Sequence, residues 1–274
     1  MSYKMIVLDL DDTLLRNDHS ISDRTKQALM TAQENGVKVV LASGRPTFGM
    51  RPVAEELSLS QYDSFILSFN GGKIIKSQSN EEMFSSTLSI ESVHKLYELS
   101  RREGVFIHTY IGDSIVTEDD NPYTMRESEI TKLPVNLVDS FKEGVTEPVV
   151  KVLMVADPDR LKEVEAKLQV ELADDFSVMR SKPYFLEFTE KGVTKGTSLE
   201  QLIKFCGITR EEVIAIGDSY NDQEMIEFAG LGVAMGNAPD DIKQIANYIT
   251  DTNMNDGVAK VVEKFVLEAQ LIQS

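Results

Sequence analysis

The chain has 274 residues, of which 42% are hydrophobic and 27% charged, with one Cys and no Trp. That length predicts one large domain or two ordinary ones around a sizeable core, and the composition excludes a disordered, fibrous or disulfide-stapled chain. With 28 Lys+Arg against 45 Asp+Glu the formal charge is -17, which argues against nucleic acid or an anionic membrane as partner, because both require a basic face.

The first element reads as a strand. Met5, Ile6, Val7 and Leu8 are continuously apolar and the run stops at Asp9, as in parallel strands buried on both faces. A helix follows, with Ser22 as N-cap, Ala28, Leu29 and Ala32 at helical spacing, and Gly36 at the left-handed C-terminal position. Val37 to Ala42 is a second buried strand. It completes a right-handed βαβ unit. The first residues pass directly into a strand without the pattern of a signal peptide, and no run of eighteen apolar residues occurs, so the chain is expected in the cytoplasm.

From about residue 83 the texture changes. Phe106 to Tyr110 and Ser114 to Thr117 flank Gly112-Asp113 like a hairpin. Val149 to Val155, a Glu- and Lys-rich helix from Pro158 to about Leu172, and Tyr184 to Phe188 continue a mixed pattern. Residues 83–188 therefore read as an inserted α+β domain. The flanking segments, 1–82 and 189–274, read as one α/β core with a doubly wound, Rossmann-like parallel sheet. In the second segment Val213 to Ile216 ends in Gly217-Asp218, Met225, Ile226, Phe228 and Ala229 line a helix face, and Gly232 to Met235 is a short strand. Cys206 lies in the apolar stretch from Leu202 and reads as a small core residue. No repeat or heptad array is visible.

Four short clusters stand at the C-terminal ends of these strands, the edge where open α/β sheets bind ligands. They are Asp9 to Leu14, Ser43-Gly44-Arg45, Lys195-Gly196, and Gly217 to Asp222. Asp9 and Asp11 are separated by one residue, so strand alternation would aim both at one side. Like charges so close call for a proton or a cation, and carboxylate oxygens suit Mg²⁺. Asp218 and Asp222 add oxygens from a second strand end. An EF-hand is excluded, because Leu14 stands where its loop requires Gly and Ser20 where it requires Glu. Ser43, the amides around Gly44, and Lys195 offer a hydroxyl, backbone donors and a positive charge, the groups that hold a phosphoryl group in transfer.

In these four clusters, in this order and with a domain-sized insertion between the second and third, the chain resembles the haloacid dehalogenase (HAD) superfamily of phosphatases. Phe69-Asn70-Gly71-Gly72 and Pro183 to Glu187 are similar to its Cof-type sugar phosphatases. One residue departs from the pattern: Asp12 stands where the family usually has Gly, and Asp tolerates positive φ better than most residues.

The resemblance implies a Mg²⁺-dependent phosphatase acting on small phosphate monoesters such as sugar phosphates. Asp9 would be the nucleophile that forms an aspartyl-phosphate, Asp11 the general acid and base, and Lys195 the fixed cation. Leu10, Ser43, Gly44, Lys195 and Asn221 would hold the phosphate. Asp9, the Asp11 backbone carbonyl and Asp218 would hold the metal, with Asp222 in support. Thr13 would orient Asp11 or cap the turn, and Arg45 would contact phosphate or a carboxylate of the fold, with a supporting role behind the phosphate-contacting groups favoured. The insertion would be a cap that selects the leaving group, with His108, Tyr110, Tyr184 and Glu187 as candidate contacts. His19 and His94 lack a partner motif and read as solvent-facing. A phosphotransferase or phosphomutase of the same superfamily is the alternative enzyme. A phospho-receiver signalling module also combines paired acids, a Ser or Thr and a Lys, but it requires a single small domain with its phosphorylated Asp downstream of the acidic pair.

Overall fold

The computed structural model describes residues 2–268, and they form two compact units. One runs up to Phe84 and resumes at Thr194, and the other comprises Ser85–Val193. The divisions fall a few residues beyond 82 and 188, because the strands Glu81–Ser85 and Phe185–Glu190 run past those points. Among the described residues no helix is long and apolar enough to cross a membrane.

The first unit holds an eight-stranded sheet. Its order is Tyr248–Ile249, Leu231–Ala234, Val213–Gly217, Met5–Leu8, Lys38–Ala42, Phe65–Ser68, Lys73–Lys76 and Glu81–Ser85. The first six strands are parallel, and Lys73–Lys76 turns back antiparallel against Phe65–Ser68. Met5–Leu8 is fully buried, and its side chains alternate between two cores. Ile6 and Leu8 join Leu29, Val39, Leu41, Ile216 and Val262 on one face, while Met5 and Val7 join Val40, Leu199, Leu202 and Ala215 on the other. Continuous apolarity in the sequence thus reflects helices on both sides of a parallel sheet. Each such side chain contributes about 1.5–3 kcal/mol on full burial.

The helix Asp23–Glu34 begins as its sequence indicates, with the Ser22 side chain accepting from the Thr25 amide, and Gly36 follows its end at φ +83. Cys206 departs from expectation. It is the last residue of the helix Lys195–Cys206 and is only partly buried against the core.

Met5–Leu8 pairs on one side with the next strand in sequence and on the other with Val213–Gly217. The direction of winding reverses between these neighbours, which places a crevice at their C-terminal ends.

In the second unit a six-stranded sheet runs in the order Phe176–Lys182, Phe185–Glu190, Val152–Val155, Phe106–Ile111, Ser114–Thr117 and Val135–Leu137. Phe106–Ile111 and Ser114–Thr117 form the expected hairpin. The strand expected from Val149 starts at Val152, and Val149 bridges Leu88 instead. The helices Ile90–Glu103 and Pro158–Glu171 bury Val93, Leu96, Leu161 and Val164 against Ile107, Val152, Met154 and Phe188. Alternation leaves His108, Tyr110 and Glu187 on the opposite sheet face.

Candidate active site

Asp9 is the first residue beyond the central strand, extended at φ -67 and ψ 160, and it is 7% exposed. The chain then turns through Leu10–Leu14, with Asp12 at φ +60. Asp therefore occupies the left-handed position at which Gly would be easier.

The third cluster meets this turn. Lys195 opens the helix Lys195–Cys206, whose N-cap Thr194 accepts from the Thr197 amide. Its side chain is completely buried, and Nζ donates to Asp9 Oδ1 at 2.5 Å and to Asp222 Oδ1 at 2.6 Å. The other Asp222 oxygen accepts from the amides of Asp218 and Ser219, each at 3.0 Å. This close seating requires glycine at the strand end: a Cβ on Gly217 would lie 2.5 Å from the Asp222 side chain.

Burial favours the neutral amine of Lys195, but the carboxylates of Asp222 and Asp9 outweigh it and hold the ammonium above its usual range. Burial, together with the Asp222 charge, pushes Asp9 well above the ordinary carboxylate value despite Lys195. Asp218 is raised by burial to about 6, although Thr13 Oγ1 donates to its Oδ1 at 2.7 Å and works against the shift. One buried ammonium does not balance the acids around it.

Asp9, Asp218 and Asp222 each offer an oxygen within 4.8 Å of the others, a set that could hold a metal ion. Hard oxygen donors in this number suit Mg²⁺, and the raised affinity of Asp9 and Asp218 for protons shows room for a further positive charge. An open cavity of about 430 Å³ adjoins Asp218, lined also by Asp12, Asn17 and Asn237.

Asp11 lies apart from this trio. Its carboxylate, 47% exposed, receives a two-point contact from Arg45, with Nε at 2.9 Å and Nη2 at 2.5 Å, and the exposed His19 stands 3.7 Å away. Alternation does not carry both acids to one side, because the strand ends at Leu8 and Asp11 already belongs to the turn. Thr13 binds Asp218 and not Asp11. Ser43 is buried, and its Oγ accepts from the Arg45 amide at 3.2 Å. Asn221 Nδ2 donates to Asn70 Oδ1 at 3.0 Å. Asn70 entered the sequence reading only within the Phe69-Asn70-Gly71-Gly72 resemblance and with no site role, yet it too stands just past the end of an apolar strand, Phe65–Ser68, which is the signal that marked the others.

In the second unit, His108, Tyr110 and Glu187 are interior groups. His108 Nδ1 is 3.0 Å from Thr124 Oγ1, while its Nε2 is buried without a partner. Burial lowers its pKa to about 3. The Tyr110 hydroxyl donates to Glu127, and Lys151 pairs with Glu187 at 3.1 Å. Tyr184 is half-buried, stacked on Tyr123 with Arg126 over its ring. His94 is also half-buried, with Nε2 at 3.1 Å from the Lys142 carbonyl, unlike the exposed His19.

A model of the haloacid dehalogenase-like hydrolases matches residues 6–262. A solved haloacid dehalogenase-like hydrolase from Bacteroides thetaiotaomicron is 47% identical, with a TM-score of 0.90 over 96% of this chain and 99% of the other. A solved sugar phosphatase of HAD subclass IIB is 26% identical, with a TM-score of 0.79 over 96% and 98% of the two chains. The 5-amino-6-(5-phospho-D-ribitylamino)uracil phosphatase YcsE of Bacillus subtilis is 34% identical over 266 residues, 96% of each chain.

Proposed function

The chain belongs to the haloacid dehalogenase-like hydrolases, and from that premise we propose that it is a magnesium-dependent phosphatase of phosphate monoesters, sugar phosphates foremost, working through an aspartyl-phosphate on Asp9. The observation that carries this reading is the buried ammonium of Lys195 bound to Asp9 at one sheet edge with Asp218 and Asp222. The similarity to a sugar phosphatase and to a phosphatase of a phosphorylated ribityl compound supports the substrate class.

In the first step an Asp9 carboxylate oxygen forms a bond to phosphorus as the bond to the ester oxygen breaks. Asp11 gives its proton to the departing alkoxide. In the second step Asp11 takes a proton from water, whose oxygen attacks phosphorus, and Asp9 leaves as a carboxylate with release of inorganic phosphate. The exposed setting of Asp11, outside the acidic trio, suits a group that must exchange protons with solvent.

A carboxylate nucleophile divides one difficult displacement into two easier ones. It must also approach an anion. Two unit charges about 4 Å apart repel by about 4 kcal/mol at an effective dielectric of 20, and Lys195 lowers that barrier. Asp9, Asp218 and the Asp11 carbonyl would hold magnesium, which supplies further positive charge beside the transferring phosphoryl group. Asp222 would support that metal, and it also holds Lys195 and the Asp218 amide. Ser43, the amides of Leu10 and Gly44, and Asn221 would bind the phosphate oxygens. The inserted unit is assigned the choice of leaving group, because the first unit already carries every group these steps use.

The test is phosphate release from a panel of sugar phosphates and aryl phosphates, with Mg²⁺ and with a chelator. Release that depends on Mg²⁺ supports the reading. Release indifferent to the chelator, or none from any ester, overturns it.

A further inference from the structure

The turn Phe69, Asn70, Gly71 carries none of the chemistry above, yet its backbone is unusual. Phe69 and Asn70 take φ values of +54 and +55 in succession, and Gly71 takes +94. Such backbone is unfavourable for a bulky residue such as Phe and persists only where its surroundings fix it.

Here the surroundings are the strand-end clusters. The Phe69 amide donates to the Arg45 carbonyl at 3.0 Å, and the Asn70 amide to the Ser43 carbonyl at 2.9 Å. Asn70 Oδ1 accepts from Asn221 Nδ2 at 3.0 Å. The same side-chain amide lies across Gly44, where a Cβ would come within 3.2 Å of both Asn70 Nδ2 and Oδ1. The Gly71 carbonyl accepts from Ser198 Oγ at 2.5 Å, in the first turn of the helix that Lys195 opens. One three-residue turn thus touches the segments that carry Ser43, Lys195 and Asn221.

We infer that Asn70 is a positioning residue for phosphate: it fixes the amide plane of Asn221 and braces Gly44, so that Ser43, Gly44 and Asn221 keep the spacing of one phosphoryl group. This rests on the phosphatase reading and adds to it a residue that contacts none of the reacting atoms. Asn221 Nδ2 carries two hydrogens. The bond to Asn70 uses one and fixes the direction of the other. An Asn221 without that partner would sample rotamers, and ordering it at each encounter would weaken binding. Asn also adopts left-handed backbone more readily than most residues, so one side chain meets both demands.

Asn70→Gly keeps the left-handed backbone and removes the amide, so it separates positioning from folding. Calorimetry with inorganic phosphate and Mg²⁺ should show affinity about 10- to 100-fold weaker, with KM for p-nitrophenyl phosphate rising more than kcat falls. Asn221→Ala, which also removes the phosphate contact itself, should lose at least as much, and adding Asn70→Gly to it should cost less than Asn70→Gly costs alone, because part of that loss acts through Asn221. Unchanged phosphate affinity in folded Asn70→Gly, or losses that add in the double variant, would overturn the inference. Should Asn70→Gly not fold, the wild-type protein decides: one of the two Asn221 side-chain amide protons must exchange slowly before phosphate is added, and fast exchange of both rejects the role. No turnover of any ester, with phosphate binding still weakened by Asn70→Gly, rejects the reaction and keeps the positioning role. Wild-type protein that binds no phosphate overturns both.

Discussion

Lys195 Nζ and Asp222 Oδ1 are 2.6 Å apart, and neither side chain has any solvent exposure. Breaking a buried pair from one side leaves an uncompensated charge, which commonly costs about 3–5 kcal/mol. Lys195→Met should therefore lose both turnover and stability. The stability loss should be smaller at pH 5 than at pH 8, because Asp9, whose burial already favours its protonated form, can then take up a proton. Thermal unfolding at the two pH values checks this, and an equal loss at both would show that the carboxylates are compensated in another way.

The proposed roles of Asp9 and Asp11 differ in how they depend on the leaving group. Asp9→Asn should abolish turnover of every ester while the protein stays folded. Rapid acid quench of the wild type with substrate should trap a hydroxylamine-labile phosphate on Asp9. Asp11→Asn should lose about 10²- to 10⁴-fold toward alkyl phosphates and much less toward p-nitrophenyl phosphate, whose leaving group needs no proton. A uniform loss across leaving groups would remove Asp11 as the proton donor.

Thr13→Val probes the hydrogen bond to Asp218 with little change of shape. Burial holds Asp218 up at about 6 even with that bond, which lowers it. Its removal raises the value further, so protons compete with Mg²⁺ over a wider range. A hydrogen bond to a charged group is worth about 1.5–3 kcal/mol, and roughly a tenfold rise in the Mg²⁺ concentration for half-maximal activity is expected at pH 6. The rise should shrink at pH 8, where the carboxylate is ionised in both proteins. An effect independent of pH would place the contribution of Thr13 elsewhere.

In the second unit, burial lowers His108 to about 3. Its unfolded-state value is near 6.5. A group whose folded pKa is depressed binds protons preferentially in the unfolded chain, so its neutral form contributes stability above about pH 6.5 that is lost progressively as pH falls toward 3. Over that window each pH unit costs up to about 1.4 kcal/mol. Near-ultraviolet circular dichroism during acid unfolding reports Tyr110, which lies edge-on to His108 with ring centroids 6.1 Å apart. His108→Gln should flatten the slope below pH 6, and an unchanged slope would assign acid lability to other groups.

The strands and their C-terminal clusters were legible because Met5–Leu8, Val39–Ala42 and Val213–Ile216 are apolar without interruption and stop at Asp9, at Ser43 and at Gly217-Asp218. Side-chain direction was less legible once the chain left a strand. A period of two reached Asp9 and failed at Asp11, which the turn carries to Arg45. The Thr13–Asp218 bond joins positions 205 residues apart, and local spacing holds no trace of it. His108 and Tyr110 sit at the expected strand positions, but their partners Thr124 and Glu127 come from a helix whose packing on that face is a tertiary matter. Cys206 shows the opposite limit, since an apolar stretch does not say where its helix ends.

The central strand has a consequence for biosynthesis. Met5–Leu8 can pair with Lys38–Ala42 soon after both are made, but its other neighbour, Val213–Gly217, follows the whole inserted unit. At about 5–20 residues per second, translation separates the two sides of that ladder by roughly 10 to 40 seconds. Through that interval an apolar strand keeps one row of unpaired amides and carbonyls, the kind of edge that recruits other chains. The nascent first unit is therefore a natural client for chaperones, while the contiguous Ser85–Val193 segment can complete its own sheet before the remainder of the first unit is made.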